Sequence, residues 1–150
     1  MRARRGYVQE MALTQLIYCS SKNKELPPET IFTIRDQARA NNERRDVTGV
    51  LLFNRSSFLQ CLEGDREEVT RTFGAISQDP RHGHVALMSV RDIEQRGFPD
   101  WSMGLLDGDS PSLRAALADV LPSQDFTAET LSAQTTMTVM QRMRTLKFAY

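Results

Sequence analysis

The sequence predicts an α+β fold, a ferredoxin-like β-α-β-β-α-β arrangement with an extra fifth strand and a C-terminal helical cap. Three observations carry this. Five short segments alternate apolar and polar residues or run continuously apolar, as strands do. Two segments between them carry apolar residues at helical spacing. Residues 107–129 hold five acids, Asp107, Asp109, Asp119, Asp125 and Glu129, against one base, Arg114, and the patterning beyond 107 is helical only.

The elements follow in order. Residues 13–19, LTQLIYC, alternate loosely as a strand, with Leu16, Tyr18 and Ser20 on one side. SSKNKELPP is a loop. Pro28 and Glu29 suit the start of a helix in which Ile31, Ile34, Ala38 and Asn41 share one face, ending near Asn42. That inward face closes on an amide. VTGVLLF (47–53) reads as a strand buried on both faces, and NRSS (54–57) as a hairpin turn without glycine. In the returning strand FLQCLE (58–63), Phe58, Gln60 and Leu62 share one face, and Leu59 and Cys61 the other. Asp65 with Glu68 forms an Asp-led analogue of a capping box, and Val69, Phe73 and Ile76 stripe the second helix. DPRHGH (79–84) reads as a turn, VALMSV (85–90) as a strand, and WSMGLL (101–106) as a fifth strand with Trp101, Met103 and Leu105 on one face. Both helices should cover one face of the sheet. Ser110-Pro111 opens a short helix with Leu113, Leu117 and Val120 inward, which Pro122 stops. Residues 127–147 form the last helix, with Leu131, Val139, Met143 and Leu146 as apolar positions.

The length of 150 residues suits one domain with a small appendage. The expected division is an extension over 1–10, a main domain over 11–106 and a helical cap over 107–150. MRARRGYVQEM lacks the apolar stretch of a secretory signal, and Met11 is an alternative start. No apolar run is long enough for a membrane span. Lys and Arg balance Asp and Glu at 19 each, which argues against a direct nucleic-acid binder. Cys19 and Cys61 form no CxxC motif and fit free thiols in a reducing cytoplasm.

Chemistry-bearing motifs are few. There is no phosphate-binding glycine loop and no Ser/His/Asp arrangement. His82 and His84 lack a third ligand nearby, so no metal site is expected. Glu63, at a strand end beside Gly64, reads as structural. Tyr18 fits an ordinary core tyrosine, and Asn41 and Asn42 a helix C-terminus. Gln60 stands apart. An inward primary amide between Phe58 and Leu62 needs partners, and leaving it unpaired costs about 1–3 kcal/mol. Phenol, amide and helix-end amide would face one side of the sheet, a polar pocket in an apolar wall.

LIYCSS, ARANN, VTGVLLF, FLQCLEG, DPRH and FPDWSMG, in this order and spacing, resemble the BLUF domain, a family of flavin-binding blue-light sensors. The resemblance runs from Leu13 to Leu106. It implies a non-enzymatic photoreceptor holding FAD, or FMN or riboflavin, between its two helices. Tyr18 would be the photoactive tyrosine, passing an electron and a proton to excited flavin, and Gln60 the amide whose hydrogen bonding then rearranges. Asn42 would grip the pyrimidine edge, with Asn41 beside it. Ile34 and Ile76 would flank the ring, and Ser20, Leu51 and Phe58 would line its site. Asp79, Arg81 and His82 would stand near the ribityl phosphate end. Trp101 and Met103 would form the output pair, acting on a signalling partner or on self-association as a homo-oligomer. The chain then resembles the short members of the family, its tail their helical cap. In that tail, Met137, Met140 and Met143 offer either an adjustable surface or plain packing on the sheet.

Two other functions compete. An acylphosphatase-type hydrolase shares the strand order but needs an anion-cradling loop after the first strand, where SSKNKELPP has no glycine. A flavin-dependent redox enzyme needs a substrate pocket and a reductant site, and neither is visible in the sequence.

Overall fold

The computed structural model describes residues 13–121 and 126–146. The expectations for residues 1–10 and Met11, the stop at Pro122, Asp125 and residue 147 lie outside the described residues.

Five strands, β1 (Leu13–Lys22), β2 (Thr48–Phe53), β3 (Ser57–Asp65), β4 (His82–Asp92) and β5 (Gly104–Asp107), form one sheet in the order β4-β1-β3-β2-β5. The first four are mutually antiparallel where they pair, and β5 runs parallel to β2. The helices are α1 (Thr30–Arg45), α2 (Arg66–Ser77), α3 (Pro111–Leu117) and α4 (Ala133–Met143). This is the predicted α+β order with its fifth strand and helical cap.

The sheet separates two cores. On one face Leu16, Tyr18, Leu51, Phe58 and Leu62 pack with Ile31 of α1 and Val69 of α2, and Ile34, Ala38, Phe73 and Ile76 join them half-buried. These are the stripes that the sequence spacing places inward. On the other face Ile17, Cys19, Val50, Leu52, Leu59 and Cys61 meet Leu113 and Leu117 of α3 and Val139, Met140 and Met143 of α4. The period of two thus divides each central strand between two apolar layers. Met140 and Met143 are buried against the sheet, so their packing role holds.

Several boundaries differ from the sequence reading. Helix α1 runs past Asn42 to Arg45 and is closed by Asp46 in the left-handed region, φ 55°, a conformation that Asp tolerates better than most residues. The 54–57 turn needs no glycine, because Asn54 Oδ1 accepts from the backbone N–H of Ser56 at 2.8 Å and Ser57 at 2.7 Å. Asp65 caps α2 by accepting from Glu67 N at 3.1 Å, while the Glu68 carboxylate pairs with Arg71 at 2.8 Å. His82 to His84, read as a turn, begin β4. Ser110 caps α3 as expected, accepting from Leu113 N at 3.2 Å. The last helix begins only at Ala133, so Leu131 and Leu146 lie outside it, though both pack on the cap-side core.

The larger correction concerns residues 101–103, which precede β5 rather than belong to it. Their three carbonyls accept from groups outside the sheet ladder of β5. Gly49 N reaches the Trp101 oxygen at 2.9 Å, Asn42 Nδ2 the Ser102 oxygen at 2.7 Å, and Arg39 Nε the Met103 oxygen at 3.0 Å. Trp101 and Met103 consequently sit on opposite sides. Met103 joins the α1/α2-side core, and Trp101 packs on the cap side, stacked on Phe98 with centroids 5.7 Å apart.

Candidate functional site

A cavity of about 160 Å³ opens between α1, α2 and the sheet. Its apolar walls are Ile34 and Ala38 from α1, Ala75 and Ile76 from α2, and Leu51 and Phe58 from the sheet. Polar groups ring it: Tyr18, Gln60, Gln37, Asn41, Asp79, Arg81 and His82. Strand alternation and helix spacing therefore bring together Tyr18, Ile34, Asn41, Leu51, Phe58, Gln60, Ile76, Asp79, Arg81 and His82 as expected. Gln37 was missed, although it lies three residues from Ile34 and four from Asn41 on the same helical face.

Tyr18 and Gln60 are direct cross-strand partners on β1 and β3. The Tyr18 hydroxyl donates to Gln60 Oε1. The same amide sends Nε2 to the Met103 sulfur at 3.3 Å. A single buried amide thus joins β1, β3 and the segment before β5. Burial pushes the Tyr18 phenol well above its ordinary value, with Asp79 and Cys19 acting in the same direction. Tyr18 therefore holds its proton and serves as the donor in this bond.

His82 is fixed at both ring nitrogens. One lies 2.7 Å from the Ile76 carbonyl oxygen and the other 2.7 Å from Ser20 Oγ. A carbonyl only accepts, so Nε2 carries the proton. Ser20, expected to line the ring site, is instead buried behind the lining, with its hydroxyl against His82. Asp79 and Arg81 form an ion pair with contacts of 2.5 to 3.0 Å, which holds the Asp79 carboxyl below its usual range. Asn42 departs from expectation. It is buried, one of its two amide hydrogens goes to the Ser102 carbonyl, and Asn41 rather than Asn42 lines the cavity.

A family model described as "BLUF: Sensors of blue-light using FAD" matches residues 13–104. The chain belongs to the BLUF family. Its region of match is a flavin-binding blue-light sensor domain, not a catalytic one. The chain is 40% identical over 95 residues to the blue light- and temperature-regulated antirepressor BluF of Escherichia coli (strain K12), covering 63% of this chain and 24% of that protein. It is 26% identical over 129 residues to the photoactivated adenylate cyclase subunit beta of Euglena longa, covering 85% of this chain and 14% of the other. It therefore spans about a quarter or less of these curated relatives. The dark-state structure of the BLUF protein BlrB superposes with a TM-score of 0.76 at 30% identity, covering 90% of this chain and 97% of that one.

The donor set fits a flavin. A fused ring system that is apolar at one end and rich in N–H and C=O at the other suits walls of Ile and Leu ringed by amides. Among the described residues no group of three His, Cys, Asp or Glu side chains is placed to hold a metal. No helix there is long and apolar enough to cross a membrane.

Proposed function

We propose that the cavity between α1 and α2 holds the flavin ring, with Ile34 and Ile76 flanking it, and that Tyr18 and Gln60 form the light switch. The supporting observation is the continuous chain from the Tyr18 hydroxyl through the Gln60 amide to the Met103 sulfur. A flavin bound there supplies absorption of blue light and, once excited, a strong oxidant. The phenolic proton of Tyr18 has one acceptor in place, Gln60 Oε1. If the Gln60 amide turns over, Nε2 faces the phenol oxygen and Oε1 faces the Met103 sulfur. A carbonyl oxygen cannot donate to sulfur, so Met103 loses its hydrogen bond. The switch is thereby read at Met103, whose own carbonyl is tied to Arg39 on α1.

FAD is the flavin favoured here, after the description of the family, and Arg81 in the cavity wall offers a charge-assisted donor to a phosphate of FAD or of FMN. FMN and riboflavin are distinguished by mass spectrometry of the extracted chromophore. Two free buried thiols fit a reducing cytoplasm. The output is a light-dependent grip on a partner protein or on a second copy of this chain. The testing variant is Gln60→Leu, which removes the amide at similar volume. It should retain flavin and lose the reversible spectral red shift; a wild-type light-minus-dark spectrum would refute the assignment.

A further inference from the structure

We infer that Glu63 is a positioning residue of the switch, holding the chain so that Met103 stays inside and Trp101 outside. This rests on the reading of Gln60 and Met103 given above. Glu63 lies three residues after Gln60 and is fully buried on the opposite face of the sheet. Sequence spacing gave it no task beyond ending a strand. Its carboxylate takes three hydrogen bonds: Oε2 accepts from Gly97 N at 3.0 Å and from Gln15 Nε2 at 2.8 Å, and Oε1 accepts from Phe98 N at 2.9 Å. A buried carboxylate is costly unless so satisfied. Here two of its three donors are consecutive backbone groups of the loop between β4 and β5.

That loop is the lead-in to the output segment. Phe98 stacks on Trp101. The Trp101 ring also lies directly on Gly104, where an added Cβ would come within 2.4 Å of it. Trp101 is thus held between a loop residue anchored by Glu63 and the first residue of β5. Gly97 approaches so closely that an added Cβ would stand 3.2 Å from Glu63 Oε2 and 3.3 Å from Arg144 Cδ. Arg144 follows α4, so the clasp also touches the helical cap. The segment is therefore fixed at both ends: by Glu63 at 97–98, and by Gly49, Asn42 and Arg39 at 101–103. Moving the backbone of Met103 away from Gln60 requires one of these ends to yield, and at the Glu63 end one carboxylate grips two consecutive backbone N–H groups with charge-assisted bonds.

Glu63→Gln tests this at nearly constant shape. An amide presents N–H where the carboxylate accepted, so one of the three donors loses its acceptor. Flavin-loaded wild type and Glu63→Gln are compared by absorption in dark and light, by the rate of dark return, and by acrylamide quenching of Trp101. The chain has one tryptophan, so the last signal belongs to that residue alone. The expected result is retained flavin, a retained red shift, a return rate altered roughly 2- to 30-fold, and a more accessible tryptophan. Gly97→Ala presses on the clasp from the loop side with the carboxylate intact, and should move the same two signals should Glu63→Gln not fold. Leu113→Ala, which removes volume from the cap core and leaves all three hydrogen bonds to Glu63 in place, should lower stability with the return rate near wild type. Unchanged return and quenching in the clasp variants, or an equal change in Leu113→Ala, would overturn the inference. A wild type with no red shift would refute the switch itself, while tryptophan quenching would still decide whether Glu63 holds the loop.

Discussion

Gln60 donates its amide hydrogen to the sulfur of Met103 across 3.3 Å, joining the middle of the sheet to the segment that leads into β5. Thioether sulfur is a weak acceptor, so this bond is easily exchanged, which suits a contact that must differ between two states.

Met103→Leu keeps the volume of the buried side chain and removes that acceptor. The variant should load flavin and still show a reversible red shift. Any light-dependent change in self-association or partner binding should fall away. Size-exclusion chromatography with light scattering, in dark and light, checks this. An undiminished light response in the variant would remove Met103 from the output path.

Asn41 and Asn42 should separate cleanly. Asn42 is buried and its amide holds the Ser102 carbonyl at 2.7 Å, so Asn42→Ala should cost about 1–3 kcal/mol of stability. Asn41 lines the cavity, so Asn41→Ala should lose flavin with little change in the stability of the flavin-free protein. Urea midpoints of the flavin-free variants, with flavin retention on dialysis, read both effects. An Asn42→Ala protein of wild-type stability that sheds flavin would restore Asn42 as a direct ligand.

Alkaline pH should leave the dark-state switch unaltered through the ordinary range of phenol ionisation. Burial raises the Tyr18 phenol well above its ordinary value of about 10. The folded protein therefore keeps this proton where the unfolded chain gives it up. The linked stability is complete below about pH 10 and declines above it. The amplitude of the light-induced shift should be flat up to that point, while urea midpoints of wild type, but not of Tyr18→Phe, should fall more steeply above it. An amplitude that collapses near pH 8 would contradict a buried, protonated Tyr18.

Much of this site was legible in the sequence because it follows local periodicity. The period of two puts Tyr18 and Gln60 on one face, and helical spacing turns Ile34, Asn41 and Ile76 toward them. What escaped is long-range. WSMGLL alternates like a strand, but Gly49, Asn42 and Arg39 take the carbonyls of 101–103, so Trp101 and Met103 part to opposite faces. Nothing near Arg39 in the chain announces a bond to Met103, 64 residues away. Glu63 likewise looks like any strand-end carboxylate until the loop carrying Gly97 and Phe98 folds onto it.

The most direct measurement is the absorption spectrum of the purified protein, in the dark and under blue light, for wild type and Tyr18→Phe. Tyr18→Phe removes the hydroxyl that faces Gln60 Oε1 at nearly constant volume. The predicted result is a flavin spectrum in both proteins, with a reversible red shift in wild type and none in the variant. A flavin-loaded wild type without a reversible shift, or a Tyr18→Phe protein that switches normally, would contradict the account.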